Sequence, residues 1–161
     1  MENVVYFEWV PAGTFMKTLA ASVCLLTLCV LLITIAVGVA VQNPFLIVVL
    51  ASALAFVLFL FWNYRGIQIQ VTTKELLINY GIFNHKRIPI SNIASCEHTK
   101  AALWKYGGVG IRYCLTDGSW AYVASFGEAV KIIRRKGRFF VFSSNNPEKI
   151  CIIINQMKNV S

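Results

Sequence analysis

Residues 18–62 read TLAASVCLLTLCVLLITIAVGVAVQNPFLIVVLASALAFVLFLFW and contain no Lys, Arg, Asp, Glu or His. Two apolar runs fill the stretch. Residues 19–41 have Ser22, Thr27 and Thr34 as their polar members, and residues 45–62 have Ser52 as their one hydroxyl. As helices these runs measure about 35 and 27 Å, against roughly 30 Å of bilayer hydrocarbon. Gln42-Asn43-Pro44 separates them, and a connection that short forces an antiparallel hairpin. A chain of 161 residues has too little protein to bury two such helices in a soluble core. The stretch predicts a transmembrane hairpin over residues 18–63, with helices near 19–41 and 45–62.

The flanks orient the hairpin. Lys17 and Arg65 bracket it, and the interhelical connection carries no charge. After Trp62 there are 14 Lys/Arg against 5 Asp/Glu, a net of +9. Basic flanks stay on the cytoplasmic side, which predicts a multi-pass protein of the cell (inner, cytoplasmic) membrane with both termini in the cytoplasm. Trp9, Phe15, Trp62 and Tyr64 suit an aromatic belt at that interface. A cleaved signal peptide fits poorly, because residues 1–16 are long, acidic and aromatic and the apolar run exceeds the usual core of such peptides. The absence of ionisable residues in the spans argues against ion-coupled transport through them.

Composition agrees with this division. Hydrophobic residues make up 57% and charged residues 14% of the chain, which excludes intrinsic disorder. Residues 64–161 form the part outside the membrane and are long enough for one small domain. Their pattern has period 2: Ile67, Ile69 and Val71 alternate with Gln68 and Gln70, as in a half-buried strand. Thr72-Thr73-Lys74 reads as a turn, residues 75–80 as a returning strand and residues 86–90 as a third. Residues 107–116 and 120–126 flank Asp117-Gly118, a strong hairpin signal. Residues 130–133 and 138–143 flank a turn around Lys136-Gly137.

The last segment changes period. Asn146 is a good N-cap, Pro147 fits the first helical position, and Glu148 favours the positive end of the helix dipole. Ile150, Cys151, Ile153, Ile154 and Met157 then follow helical spacing over about 147–157. Strands closed by one terminal helix imply an α+β fold: a curved antiparallel sheet or open barrel, capped by the helix. Residues 1–17 precede the hairpin as a cytoplasmic or interfacial segment. Their apolar, aromatic residues 4–10 fit either an added strand on an open sheet edge or a segment lying flat at the interface.

The run Val71-Thr72-Thr73-Lys74-Glu75-Leu76, followed by Tyr80-Gly81-Ile82-Phe83 and then by Ile88-Pro89-Ile90-Ser91-Asn92-Ile93, resembles the bacterial pleckstrin-homology-like (PH-like) domain of small membrane proteins. The likeness continues more loosely through residues 108–113 and Asn146-Pro147-Glu148. These are turn and core residues, so the resemblance implies a fold and not an activity. It implies membrane-anchored binding or scaffold modules without a shared catalytic set. Eukaryotic relatives grip inositol phosphates with several cations around the first hairpin, where this chain offers only Lys74. Phosphoinositide recognition is not carried over.

The densest charge is Lys131, Arg134, Arg135, Lys136 and Arg138, with residues 134–136 at a hairpin tip. This patch is a candidate contact for anionic lipid headgroups or for a partner, at roughly 1 kcal/mol per cation near an anionic surface; it also fits a solvated turn. Ala36/Ala40 and Ala51/Ala55 have the small-xxx-small spacing that lets helices approach closely, within the hairpin or against another protein. Cys24, Cys29, Cys96, Cys114 and Cys151 form no CxxC and read as core residues or free thiols in a reducing cytoplasm. Cys96-Glu97-His98 lacks a second ligand pair for zinc. Gly107-Gly108-Val109-Gly110 precedes a strand and matches no phosphate loop, so it reads as a tight strand entry.

These features predict a non-enzymatic integral membrane protein with no catalytic, cofactor or metal site. Its expected partners are membrane lipids and another membrane protein or a second copy. No nucleic acid or small-molecule substrate is expected.

Overall fold

The computed structural model describes residues 4–38, 43–101, 107–114 and 118–160. The chain divides into two compact units, one holding Thr14–Asn63 and the other the segments on both sides of it.

The first unit is a pair of helices, α1 (Thr14–Ala36) and α2 (Pro44–Asn63), both long and apolar enough to cross a membrane. Helix α1 begins and ends earlier than the 19–41 window. Pro11-Ala12-Gly13 closes the preceding segment, and Gly38, at φ 76°, terminates the helix with its N–H donating to Ile35 O at 3.1 Å. Helix α2 opens on proline, as a first helical position permits. The hydroxyls of Ser22, Thr27, Thr34 and Ser52 each donate to a carbonyl three or four residues back, so none needs water.

The two helices pack through half-buried residues spaced three or four apart. On α1 these are Met16, Ala20, Cys24, Thr27, Leu31 and Thr34; on α2 they include Leu46, Leu50, Leu54, Val57 and Phe61. This is the heptad spacing of a coiled-coil seam.

The second unit is built from two sheets. Strands β1 (Val4–Pro11), β2 (Gly66–Thr72), β3 (Glu75–Tyr80) and β4 (Asn84–Pro89) form an antiparallel meander in that order. A 3-10 turn, Ile90–Asn92, leads to the second sheet. Strands β5 (Ile93–Ala101), β6 (Gly110–Tyr113), β7 (Trp120–Val123), β8 (Gly127–Arg134) and β9 (Phe140–Ser143) lie there in the order β5-β8-β9-β7-β6. Helix α3 (Pro147–Val160) follows.

Two expectations are corrected or resolved here. The second sheet is not antiparallel throughout: β9 turns back from β8 and inserts beside β7, with which it runs parallel. The apolar residues 4–10 form a strand, not an interfacial segment. Tyr6, Glu8 and Val10 turn inward while Phe7 and Trp9 stay exposed, and β1 pairs with β2 in the register Trp9↔Gln68 and Pro11↔Gly66. Asp117 of the expected Asp117-Gly118 turn lies outside the described residues.

The core lies between the sheets. Ile67, Ile69, Leu76, Ile78 and Tyr80 from the first meet Val130, Ile132, Phe140 and Phe142 from the second, with Ile150 and Ile154 of α3 against them. Alternation explains the first set, since Ile67, Ile69 and Val71 are separated by the less buried Gln68 and Gln70, and the buried residues of β3 by the less buried Leu77 and Asn79.

The cysteine expectation is overturned at one pair. Cys96 on β5 and Cys151 on α3 form a disulfide, with Cα atoms 5.2 Å apart. Helix α3 packs on β5 and brings the two residues within bonding reach despite 55 residues of intervening chain. Cys24, Cys29 and Cys114 form no disulfide.

Candidate functional site

The β-rich unit has two contrasting ends. At one end, here called the base, the chain leaves at Gly13 for α1 and returns from α2 at Tyr64. The Ala12 N–H donates to Arg65 O at 2.7 Å, and the Gly13 N–H donates to Ala124 O at 2.8 Å. With Pro11 opposite Gly66, the first bond fastens the outgoing and incoming strands side by side, and the second ties the outgoing end to the residue after β7.

A polar knot reinforces the base. Glu8 is 7% exposed. Its Oε2 accepts from the Tyr6 hydroxyl and from the Ser144 hydroxyl, each at 3.0 Å, and its Oε1 accepts the Asn145 N–H at 2.6 Å. Three donors satisfy a carboxylate that burial would otherwise penalise. Burial, then the Glu8 charge beside it, pushes the Tyr6 phenol up to about 12. Burial likewise raises Tyr80 and Tyr122.

The basic cluster lies at the other end. Strand β8 runs from Gly127, three residues beyond the Ala124 that accepts the Gly13 N–H, to Arg134. At about 3.4 Å per residue, that sets the tip roughly 24 Å from the base along the strand. The β8–β9 connection carries Arg135, Lys136 and Arg138 as exposed residues, with Arg134 half-buried at its start. Asn92 fixes the turn: its carbonyl accepts the Arg135 N–H at 2.8 Å, its Oδ1 accepts the Lys136 N–H at 2.9 Å, and its Nδ2 donates to Lys136 O at 3.2 Å.

Three of the cations have local partners. The Arg134 Nε–H donates to Arg138 O at 2.6 Å, Arg138 stacks over the Tyr113 ring at 5.3 Å, and Lys131 lies 4.7 Å from the Phe139 ring centroid. Beside the tip a shallow cavity of about 170 Å³ is lined by Ile90, Ser91, Arg135 and Lys158. Lys158 was not singled out from sequence; its place on the last turn of α3 becomes meaningful only once that helix is docked. This arrangement can attract anions.

The remaining sequence candidates are dispersed. Cys96 is held in the disulfide, and His98 pairs with Glu128 across β5 and β8. Among the described residues, no group of three His, Cys, Asp or Glu is placed to hold a metal ion. Ala36, Ala51 and Ala55 are exposed, off the α1–α2 seam, and Ala40 lies outside the described residues. The hairpin itself therefore does not use these three small residues.

Comparison with known families gives one finding. A model described as bacterial PH domain matches residues 13–111, more than half of the chain, taking in both helices and strands β2 to β5. Comparisons with curated proteins and with solved structures returned no match.

Proposed function

Because the chain belongs to the bacterial PH domain family, we propose that it is a non-enzymatic, membrane-tethered binding module, acting as an accessory subunit of a membrane assembly or as a self-assembling scaffold. The pairing of β1 with β2 carries this reading. These strands flank the whole apolar insert, yet they are neighbours in one sheet. Both flanks must then lie on one side of whatever α1 and α2 cross, which requires an even number of crossings. A two-span hairpin holding a PH-like domain at its feet satisfies that condition with the helices present.

The exposed Ala36, Ala51 and Ala55 support contact with another membrane protein or a second copy through the outer faces of the helices. The basic tip supports contact with an acidic partner surface. Its placement some 24 Å along β8 from the base makes it less suited to reading headgroups, the alternative role for Lys131, Arg134, Arg135, Lys136 and Arg138.

We place the domain on the cytoplasmic face of the cell membrane on its net charge of +9. The Cys96–Cys151 bond favours a second reading, with the domain on the oxidising face, since reducing cytoplasm rarely preserves disulfides.

Crosslinking in native membranes followed by a pull-down of the full chain tests the binding role. Recovery of a defined partner or of a dimer is expected; monomer alone would overturn it. Labelling of an introduced cysteine near residue 158 by an impermeant reagent on intact cells separates the two faces.

A further inference from the structure

The turn between β3 and β4 is apolar where hairpin turns are ordinarily polar. Gly81, at φ 70°, lets the chain reverse, and Ile82 and Phe83 follow with 50% and 69% of their surfaces exposed. The turn is held in place: the His85 Nε2–H donates to Ile82 O at 2.6 Å, and His85 Nδ1 lies 2.9 Å from Asn79 Oδ1. The two apolar side chains are thus displayed on a fixed support.

Sheet register puts this turn at the base. Tyr80 pairs with Asn84 to close the turn and with Ile67 on β2, one step from the Gly66↔Pro11 pair. Tyr64, the first residue after α2, packs its ring edge-on to Tyr80 at 5.2 Å, and its hydroxyl accepts from Asn84 Nδ2 at 3.3 Å. Trp9 lies over Gly66 with the Arg65 guanidinium 5.9 Å from its ring. The opposite end of the same sheet carries the polar turn Thr73-Lys74. Apolar, aromatic and cationic side chains gathered beside the points where two apolar helices depart have the composition of a bilayer interface contact.

We propose that the Ile82-Phe83 turn inserts into the interfacial layer of the bilayer and, with Trp9, Tyr64 and Arg65, pins the base of the domain against the membrane. The occupant of this surface is lipid. The proposal rests on the reading of α1 and α2 as membrane spans, because chain continuity at Gly13 and Tyr64 is what delivers the turn to the membrane.

The test incorporates the photoreactive residue p-benzoylphenylalanine at position 83 of the full chain, reconstituted in vesicles of phosphatidylcholine and phosphatidylglycerol containing a radiolabelled phospholipid. A second protein carries it at position 136. Irradiation is expected to attach at least tenfold more labelled lipid at position 83 than at 136. A crosslink from position 83 to a second copy or within the chain, or equal lipid labelling at both positions, overturns the proposal. Retention of the chain in vesicles after an alkaline carbonate wash is scored separately. Loss there defeats the membrane reading and this inference together, whereas retention without lipid labelling at 83 defeats this inference alone.

Discussion

The Glu8 carboxylate accepts the backbone N–H of Asn145 at 2.6 Å across 137 residues of chain. This bond ties β1, which precedes the apolar hairpin, to the corner between β9 and α3, and so links the first sheet to the second. Replacing Glu8 with Ala leaves the Asn145 N–H and the Ser144 hydroxyl without their acceptor. Each stranded donor costs about 1–3 kcal/mol. Glu8→Ala is expected to lower the unfolding midpoint of the full chain in detergent, with Tyr6→Phe producing a smaller loss; an unchanged midpoint for Glu8→Ala would count against the knot.

Alkaline titration reads the same knot from its other side. The Tyr6 phenol ionises near 12 in the folded chain, against an ordinary value of 10.0, first because it is buried and then because Glu8 is adjacent. A raised acid pKa means the folded state keeps its proton after the unfolded state has lost it. The associated stability is complete below pH 10 and is lost progressively as pH rises toward 12. Tyr80 and Tyr122 are raised too, so tyrosinate absorbance should show several late-titrating phenols, one of which is lost in Tyr6→Phe and moves to lower pH in Glu8→Gln.

The Cys96–Cys151 bond closes a loop with 55 residues of sequence separation. By chain entropy such a crosslink contributes about 4 kcal/mol. Reduction, or Cys151→Ser, is expected to loosen the first half of α3 from β5 and to lower the unfolding midpoint, while Cys114→Ser leaves the reduction response intact. Alkylation of the denatured chain followed by mass measurement under non-reducing conditions gives three modified cysteines if the bond is present and five if it is not.

Gly66 of β2 lies hard against Trp9 and Val10 of β1. A Cβ added there would lie 2.6 Å from both the Trp9 ring and the Val10 carbonyl oxygen. The ring can swing aside; the backbone oxygen cannot. Gly66→Ala is expected to destabilise the domain by roughly 1–3 kcal/mol, and adding Trp9→Ala should recover only part of that loss in the same melting assay.

The helices, β2 and β3 were legible because their periodicity is clean: an uncharged run for the former, Ile67/Gln68/Ile69/Gln70 for the latter. Strand β5 was not. In IASCEHTKA only Ile93 and Ala101 are buried, so its pairing with β8, and not its own pattern, makes it a strand. Strand β1 was ambiguous because exposed Phe7 and Trp9 hide the inward alternation of Tyr6, Glu8 and Val10. The basic tip could be read as a hairpin from Lys136-Gly137, but its separation from the base follows from sheet order, which sequence alone does not state. The disulfide needed α3 docked on β5, a long-range contact with no local signal.

The strand partnership across the hairpin also dictates an order of events during biosynthesis. Gly66 follows Pro11 by 55 residues, so at ribosomal speeds β1 waits roughly 3–11 s for its neighbour. On the proposed reading of α1 and α2 as membrane spans, both helices leave the aqueous phase in that interval while an edge of unpaired amides, bearing Phe7 and Trp9, stands exposed to any passing strand. The domain therefore becomes able to close only after both helices have been synthesised, and a nascent chain that stalls before β2 would be left with an aggregation-prone, unpaired strand.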